Sequence, residues 1–399
     1  VTENIASYKH GLPSNARLSI AHLHTQLNDG NYLGLALAQH SSSEVLLPQH
    51  LQFETVDKSH FSDYCTQHSL HAAPNEKCVI VGQAINIDLL THIICQYFCQ
   101  AQHLVIQQHY LHSEFAQQAI ELTLYHNTVA ANNVLLVHKP DASQQHSAAA
   151  TGDSSELQVK QHSLLKASVL LTLAKDYCVD AFQVSSVSLS RPGLLVMDMD
   201  STIIDMECID EIAILAGAGD KVRELTERAM LGELDFNQSL NARVACLQGI
   251  YVTELEKLKN RLPITPGFAH TIAILQKHGW ITCIASGGFT YFANYIKDSF
   301  ELTQATSNIL GIEQGCLTGK VEGDIVNGEM KKQILIDTLN YYSIDPQQSI
   351  GIGDGANDLL MMSAAALGVA YKAKPTVQAG ADANIVYCGF EGLLYCLQP

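Results

Sequence analysis

Leu194-Leu195-Val196-Met197-Asp198-Met199-Asp200-Ser201-Thr202 decides how this chain is read. Four consecutive apolar residues fit a parallel strand buried on both faces, and two aspartates one residue apart follow at its carboxyl end. Residues two apart on an extended chain share a face, so both carboxylates can address one phosphate and one cation. Ser201 and Thr202 fall where a tight turn begins. A second acidic cluster, Gly351-Ile352-Gly353-Asp354-Gly355-Ala356-Asn357-Asp358, follows the strand-like run Gln348-Ser349-Ile350. Its glycines let the backbone bring Asp354 and Asp358 close to a ligand. Between the clusters lie Ile281-Thr282-Cys283-Ile284-Ala285-Ser286-Gly287-Gly288, a strand ending in a hydroxyl and two glycines, and then Lys331.

Asp-x-Asp-x-Thr, a strand-end Ser, a lone Lys and Gly-Asp-x-x-Asn-Asp, in that order, resemble the four motifs of the haloacid dehalogenase superfamily. The likeness narrows through Asp205-Met206-Glu207-Cys208-Ile209-Asp210-Glu211 and Glu224-Leu225-Thr226-Glu227-Arg228-Ala229-Met230. Gly232-Glu233-Leu234-Asp235-Phe236, Ser239-Leu240, Arg243-Val244 and Ala285-Ser286-Gly287-Gly288-Phe289-Thr290 extend it. Together these runs resemble the phosphoserine phosphatase family from Pro192 to the C-terminus. The resemblance implies an α/β fold: a Rossmann-like haloacid dehalogenase core with a parallel sheet and a small helical cap, preceded by an α+β N-terminal domain. The expected domains are 1–186 and 187–399, the latter with a core at 190–205 and 264–399 and a cap at 206–263.

What the resemblance implies for chemistry is Mg²⁺-dependent hydrolysis of O-phosphoserine to serine and phosphate, the last step of serine biosynthesis. Asp198 would be the nucleophile that becomes an aspartyl-phosphate, and Asp200 the general acid and base. Asp198, the backbone carbonyl of Asp200 and Asp354 would hold the metal, a hard cation that favours oxygen ligands. Ser286, the Gly287 amide, Lys331 and Asn357 would fix the phosphoryl group, with Asp358 orienting Lys331 or the metal shell. Family spacing selects Lys331 over Lys332, which would point about 100° away on a helix. In the cap, Glu207 suits an ammonium and Arg243 grips a carboxylate with its fork, while Met230 and Phe236 supply an apolar wall. Asp235 is the expected N-cap of the helix that begins at Phe236. Two other readings stand beside this one: a phosphatase or phosphotransferase for another small amino-acid-like phosphate, and a sensor or scaffold with residual catalysis. The second would show a damaged catalytic motif, and no motif position is lost.

Composition narrows the partners. A net charge of −17 over 399 residues argues against nucleic acid, whose phosphates select basic surfaces. It leaves a small phosphate ester open, because local cations decide that binding. No apolar run is long enough to span a bilayer, and residues 1–7 lack the order of a secretory signal, so the expected location is cytoplasmic. Eleven cysteines show no zinc-like spacing, Cys95 and Cys99 included, and read as thiols of a reducing compartment. Sixteen of eighteen histidines precede residue 163, a composition shift between two domains. His22 with His24 and His109 with His112 lack partners at ligand spacing and read as surface residues.

The first half alternates strands and helices: strands at 78–82, 103–111, 119–125, 133–138 and 181–188, and helices at 87–99 and 163–177. Residues 139–156, rich in Ser, Ala, Gln and Gly, read as a loop, and 1–76 yield no pattern. This half resembles the ACT-like regulatory modules that some family members carry. Regulation by a small ligand and packing into a homodimer are the two roles that reading leaves open. Ser190-Arg191-Pro192-Gly193 reads as the linker between the halves.

Overall fold

The structure is a computed structural model that describes residues 32–36, 53–56, 76–82, 85, 87–98, 103–108, 118–125 and 165–399 except 232. His22, His24, His109, His112, Cys99, the expected strand at 133–138 and the loop at 139–156 lie outside them, as does the Cys95 side chain. Two compact units divide the chain: one holds 1–76, 87–107 and 123–166, the other 77–86, 108–122 and 167–399.

In the first unit, β1 (Tyr32–Ala36) pairs antiparallel with β2 (Phe53–Val56) and with β4 (His103–Gln108). Helix α1 (Ile87–Tyr97) buries Leu90, Ile93 and Ile94, the three- and four-residue spacing of one helical stripe. Strands β1 and β2 fall in the stretch where the sequence shows no alternation.

The second unit is built on a seven-stranded sheet in the order β10-β9-β8-β7-β11-β12-β13. Its strands are β7 (Leu194–Met197), β8 (Ile281–Phe289), β9 (Gln304–Glu313), β10 (Cys316–Glu322), β11 (Ser349–Gly353), β12 (Leu367–Tyr371) and β13 (Ala383–Ile385). All pairs are parallel except β9 with β10. This is the Rossmann-like α/β core of the haloacid dehalogenase fold. β7 is central, and its four residues are all fully buried. Leu194 and Val196 pack with Ile334, Leu335 and Leu339, while Leu195 and Met197 join Phe268, Ile272 and Leu275. Burial on both faces is why the strand reads as an unbroken apolar run.

Four helices interrupt the sheet directly after β7: α3 (Cys208–Leu215), α4 (Gly219–Met230), α5 (Phe236–Ala245) and α6 (Val252–Lys259). Asp235 caps α5 in a reciprocal box with Gln238. The chain leaves and re-enters through a narrow neck. Asp205 N donates to Pro263 O, Thr265 N to Ile203 O, and Thr265 Oγ1 to Thr202 O. α7 (Phe268–Lys277) then leads to β8, α8 (Thr290–Ser299) follows it, and α9 (Gly328–Tyr342), capped by Asn327, precedes β11. No described helix is long and apolar enough to cross a membrane, and the described cysteines are thiols, not disulfides.

This unit reaches back past the expected boundary at 186/187. Strands β5 (Gln118–Tyr125, its first five residues in this unit), β3 (Glu76–Gly82) and β6 (Asp180–Gln183) are neighbours in that order. α2 (Ala167–Tyr177) precedes β6 and buries Leu170, Leu173 and Ala174. Asp180, 0% exposed, accepts hydrogen bonds from the backbone N–H groups of Val386 (2.8 Å), Tyr387 (3.0 Å) and Cys388 (2.6 Å). Ser185 N donates to Cys396 O, Gln398 N to Val187 O and Leu189 N to Gln398 O. The segment before Ser190 therefore holds the C-terminus of this unit. Asp180→Ala leaves three donors without their carboxylate, and each buried unmet donor costs about 1–3 kcal/mol. The expected loss is on the order of 3 kcal/mol in denaturant unfolding, with turnover per folded molecule unchanged.

Candidate active site

The strand-end motifs converge at the carboxyl edge of the sheet. β7 stops at Met197, and the chain turns at once: Thr202, Ile203 and Ile204 all donate to the Met199 carbonyl, with Ser201 at a left-handed φ of 56°. That turn separates Asp198, facing α9, from Asp200, facing α3. Asp198 Oδ1 accepts from Met199 N (2.7 Å), and its Oδ2 lies 2.9 Å from Lys331 Nζ. Lys331 Nζ also donates to Asp358 Oδ1 at 2.7 Å, and Asp358 Oδ2 accepts from Gly355 N at 3.0 Å. Lys331 and Asp358 are both 0% exposed. Burial alone would drive the lysine toward neutrality, but the two carboxylates outweigh it and hold its ammonium above the ordinary range. Burial likewise pushes Asp358 up, with Asp198 adding to it and Lys331 opposing both. Two contacts of 2.7 and 2.9 Å to one ammonium make this an ionic triad. Lys332 is half-buried on the same helix and takes no part in it.

Asp354 stands beside the triad, half-buried. Single carboxylate oxygens of Asp198, Asp354 and Asp358 all lie within 4.8 Å of one another. Burial, then Asp198 and Asp358, push Asp354 up to about 8, because Lys331 offsets only part of the accumulated charge. An all-oxygen donor set with excess negative charge fits a hard divalent cation. Gly353 has no room for a side chain, since a Cβ there would collide with Asp358. Asn357 is half-buried on the 3₁₀ turn Ala356–Asp358, its side chain against Gly355 and its carbonyl against Gly328 at the start of α9.

Asp200 Oδ1 accepts from Cys208 N (3.3 Å) at the first turn of α3. Burial, and next the Glu207 carboxylate, push Asp200 up to about 8. Glu207 accepts from Ser201 Oγ (2.8 Å). It is open to solvent yet ringed by protein atoms, as befits the mouth of a cleft, and this desolvation raises its carboxyl despite the Ser201 bond. Arg243, on α5, is within electrostatic reach of Asp210, Glu207 and Asp200, and its buried Nε has no hydrogen-bond partner. Burial lowers the guanidinium against those three carboxylates, without neutralising it. Phe236, from the same helix, reaches down onto Gly287: a Cβ at Gly287 would stand 2.9 Å from the Phe236 ring. The Met230 side chain lies outside the described residues.

Ser286 Oγ accepts from Gly288 N at 2.9 Å, so its own hydrogen remains to be donated elsewhere. Gly288 sits where Asp200, Met199 and Ser286 meet: a Cβ there would be 2.5 Å from Asp200 Oδ2 and 2.7 Å from Met199 Cε. The structure thus draws Asp198, Lys331, Asp354 and Asp358 into one group, Asp200, Glu207 and Arg243 into a second, and Ser286, Gly287 and Phe236 into a third. Three residues were missed at the sequence level: Ser201 as the partner of Glu207, Cys208 as the donor to Asp200, and Asn308 against Gly287. Ser201 and Cys208 stood inside quoted motifs, and only their contacts were invisible.

Residues 193–366 match the haloacid dehalogenase-like hydrolase family. The phosphoserine phosphatase of Haemophilus influenzae is 53% identical over 212 residues, 53% of this chain and 67% of that protein. That of Idiomarina loihiensis is 47% identical over 206 residues, 52% of this chain and 94% of the relative. Among solved structures, the unliganded probable phosphoserine phosphatase of Vibrio cholerae covers 80% of this chain and 86% of its own, with 34% identity and a TM-score of 0.60. A phospho-aspartyl intermediate analogue of phosphoserine phosphatase covers 52% and 100%, with 36% identity and a TM-score of 0.50. A hydrolase of the haloacid dehalogenase class is what this fold and this ring of motifs define. Within that class, the chain belongs to the phosphoserine phosphatase family.

Gly288→Ala tests the packing of the third group against the second. The added methyl displaces the Asp200 carboxylate, and a misplacement of about 1 Å costs on the order of 100-fold in rate. The expected result is such a fall in kcat with little change in melting temperature.

Proposed function

We propose that this chain hydrolyses O-phosphoserine to serine and inorganic phosphate, with Mg²⁺ as its metal and the supply of serine as its metabolic role. The observation that carries the substrate is the pair in the cap. Arg243 offers a buried guanidinium N–H with no partner, and Glu207 offers an anion within its electrostatic reach. A zwitterion with an ammonium and a carboxylate satisfies both, whereas a sugar phosphate satisfies neither.

Asp198, Asp354 and the Asp200 carbonyl would hold the cation, which when bound supplies charge neutralisation beside the phosphoryl oxygens. The Asp198 carboxylate attacks phosphorus as the serine oxygen–phosphorus bond breaks, and Asp200, kept protonated by burial and Glu207, gives its proton to the departing oxygen. Asp200 then takes a proton from the water that attacks the aspartyl-phosphate, which returns Asp198 and releases phosphate. Lys331 stays charged throughout and faces the phosphoryl group with Ser286 and the Gly287 amide. Asn357 lines that side, and Asp358 fixes Lys331 in place. Phe236 and Met230 keep water from the cap charges. The catalytic part is proposed to be 187–399 with its cap at 206–263, and 1–186 to be a regulatory, ACT-like or dimer-forming half.

The test is Arg243→Ala on two esters. With phosphoserine, kcat/KM should fall by about 2–4 kcal/mol of lost charge-assisted binding. With p-nitrophenyl phosphate, which has no carboxylate, it should hardly change. Equal losses on both would remove the substrate assignment.

Metal binding gives a second test. Burial and the neighbouring carboxylates push Asp354 up to about 8, and it must lose its proton to act as a ligand. Mg²⁺ affinity should therefore rise as pH is raised toward 8, and protons should be released on binding at neutral pH. Calorimetry in two buffers of different ionisation enthalpy measures both.

A further inference from the structure

We infer that Asn308 is a positioning residue for the reaction: it clamps the Ser286-Gly287-Gly288 turn to the loop that delivers Lys331. The inference rests on the reading, under the proposed function, of Ser286, Gly287 and Lys331 as phosphoryl-binding groups.

The sheet register exposes the need for such a clamp. β8 and β9 pair in step from Cys283↔Gln304 to Ser286↔Ser307, and the next pair is Phe289↔Asn308. Two residues of β8, Gly287 and Gly288, therefore bulge out opposite none of β9, and the Gly287 carbonyl loses its place in the ladder. Asn308 fills that place with its side chain. Its Nδ2 donates to Gly287 O at 2.7 Å, and its Oδ1 accepts from Val326 N at 2.9 Å. The residue is 0% exposed, so no water competes for either bond. Only this amide orientation matches both partners, a carbonyl on one side and an N–H on the other.

Each arm leads to a phosphoryl contact. The Gly287 carbonyl and the Gly288 N–H belong to one peptide unit, and that plane is pinned at both ends: by Asn308 at the oxygen and by Ser286 Oγ at the nitrogen. Because Ser286 Oγ accepts there, its hydrogen is left to be donated to another acceptor. On the other arm, Val326 precedes Asn327, the N-cap of α9, whose side chain accepts from Met330 N and whose carbonyl accepts from Lys331 N. One buried amide thus fixes the hydroxyl and the lysine relative to each other, though they lie 45 positions apart in sequence.

The experiment compares Asn308→Asp and Asn308→Leu with wild type, using p-nitrophenyl phosphate as substrate and inorganic phosphate as competitive inhibitor. Asn308→Asp keeps an acceptor for Val326 N but sets a carboxylate oxygen against Gly287 O, so it breaks one arm. Asn308→Leu breaks both. Expected are a rise in KM and in the phosphate inhibition constant of roughly 10- to 100-fold, the range for leaving one buried polar group unmet. A residue that merely holds the fold would lower the melting temperature and the active fraction, with KM and phosphate inhibition of the folded molecules unchanged. That outcome overturns the inference, and so does failure of both variants to fold. If wild type ignores phosphoserine while the variants lose phosphate affinity, the substrate reading falls and the clamp stands.

Discussion

A lysine ammonium with no exposure to water dictates the rest of this site. Taking Lys331 out of solvent is tolerable only because Asp198 and Asp358 stand 2.9 and 2.7 Å from it. Such a buried pair adds little net stability against an apolar alternative, yet removing one partner costs about 3–5 kcal/mol. Two constraints follow. The carboxyl ends of β7 and β11 and the amino end of α9 must meet at the same place, because each contributes one member of the triad or the turn that carries it. The Gly353-to-Asp358 turn must also be tight enough to bring Asp358 back under Lys331, which is why Gly353 has no space for a side chain.

In the proposed function the core supplies reaction geometry and the cap supplies choice, and the topology keeps the two parts of the chain apart. All four cap helices are inserted at one point, through a neck of backbone bonds between 203–205 and 263–265. A short neck next to Asp200 places that carboxyl where the inserted helices join the sheet. Asp200 bonds to Cys208 N, the first residue of the cap's first helix, so its position is set jointly by β7 and by the cap.

The core was legible wherever one strand end carried the chemistry. Burial on both faces makes β7 an unbroken apolar run, and Asp198 follows it without ambiguity. Asp235 was legible because a cap acts within three residues of itself. Asn308 was not, because its role depends on a two-residue register shift between β8 and β9 that no pattern within either strand reveals. Asp180 was hidden for a similar reason: its three partners lie more than 200 positions away. The proline and glycine at 192–193 suggested a boundary at 186/187; a turn-forming pair marks where a chain changes direction, and packing across it depends on residues the pattern does not show. The compact unit continues through it to α2 and β3.

Five carboxyl groups, Asp198, Asp200, Glu207, Asp354 and Asp358, share this space with two cations, Lys331 and Arg243, in a chain that is already acidic. An anionic ester cannot approach such a site unless charge is removed, and the structure indicates two different ways of removing it. Asp200 and Asp354 are both pushed up to about 8, first by burial and then by carboxylates they partly share, since Glu207 and Asp198 act on both. Asp354 owes its rise, after burial, to Asp198 and Asp358, the carboxylates that share its metal-sized cluster. A divalent cation held there, as proposed, would relieve that crowding, and Asp354 would have to lose its proton to bind it. Asp200 owes its rise, after burial, first to Glu207, and Asp198 adds to it. One field of negative charge thus raises both carboxyls, with Glu207 the first charge to weigh on Asp200 and Asp198 the first to weigh on Asp354.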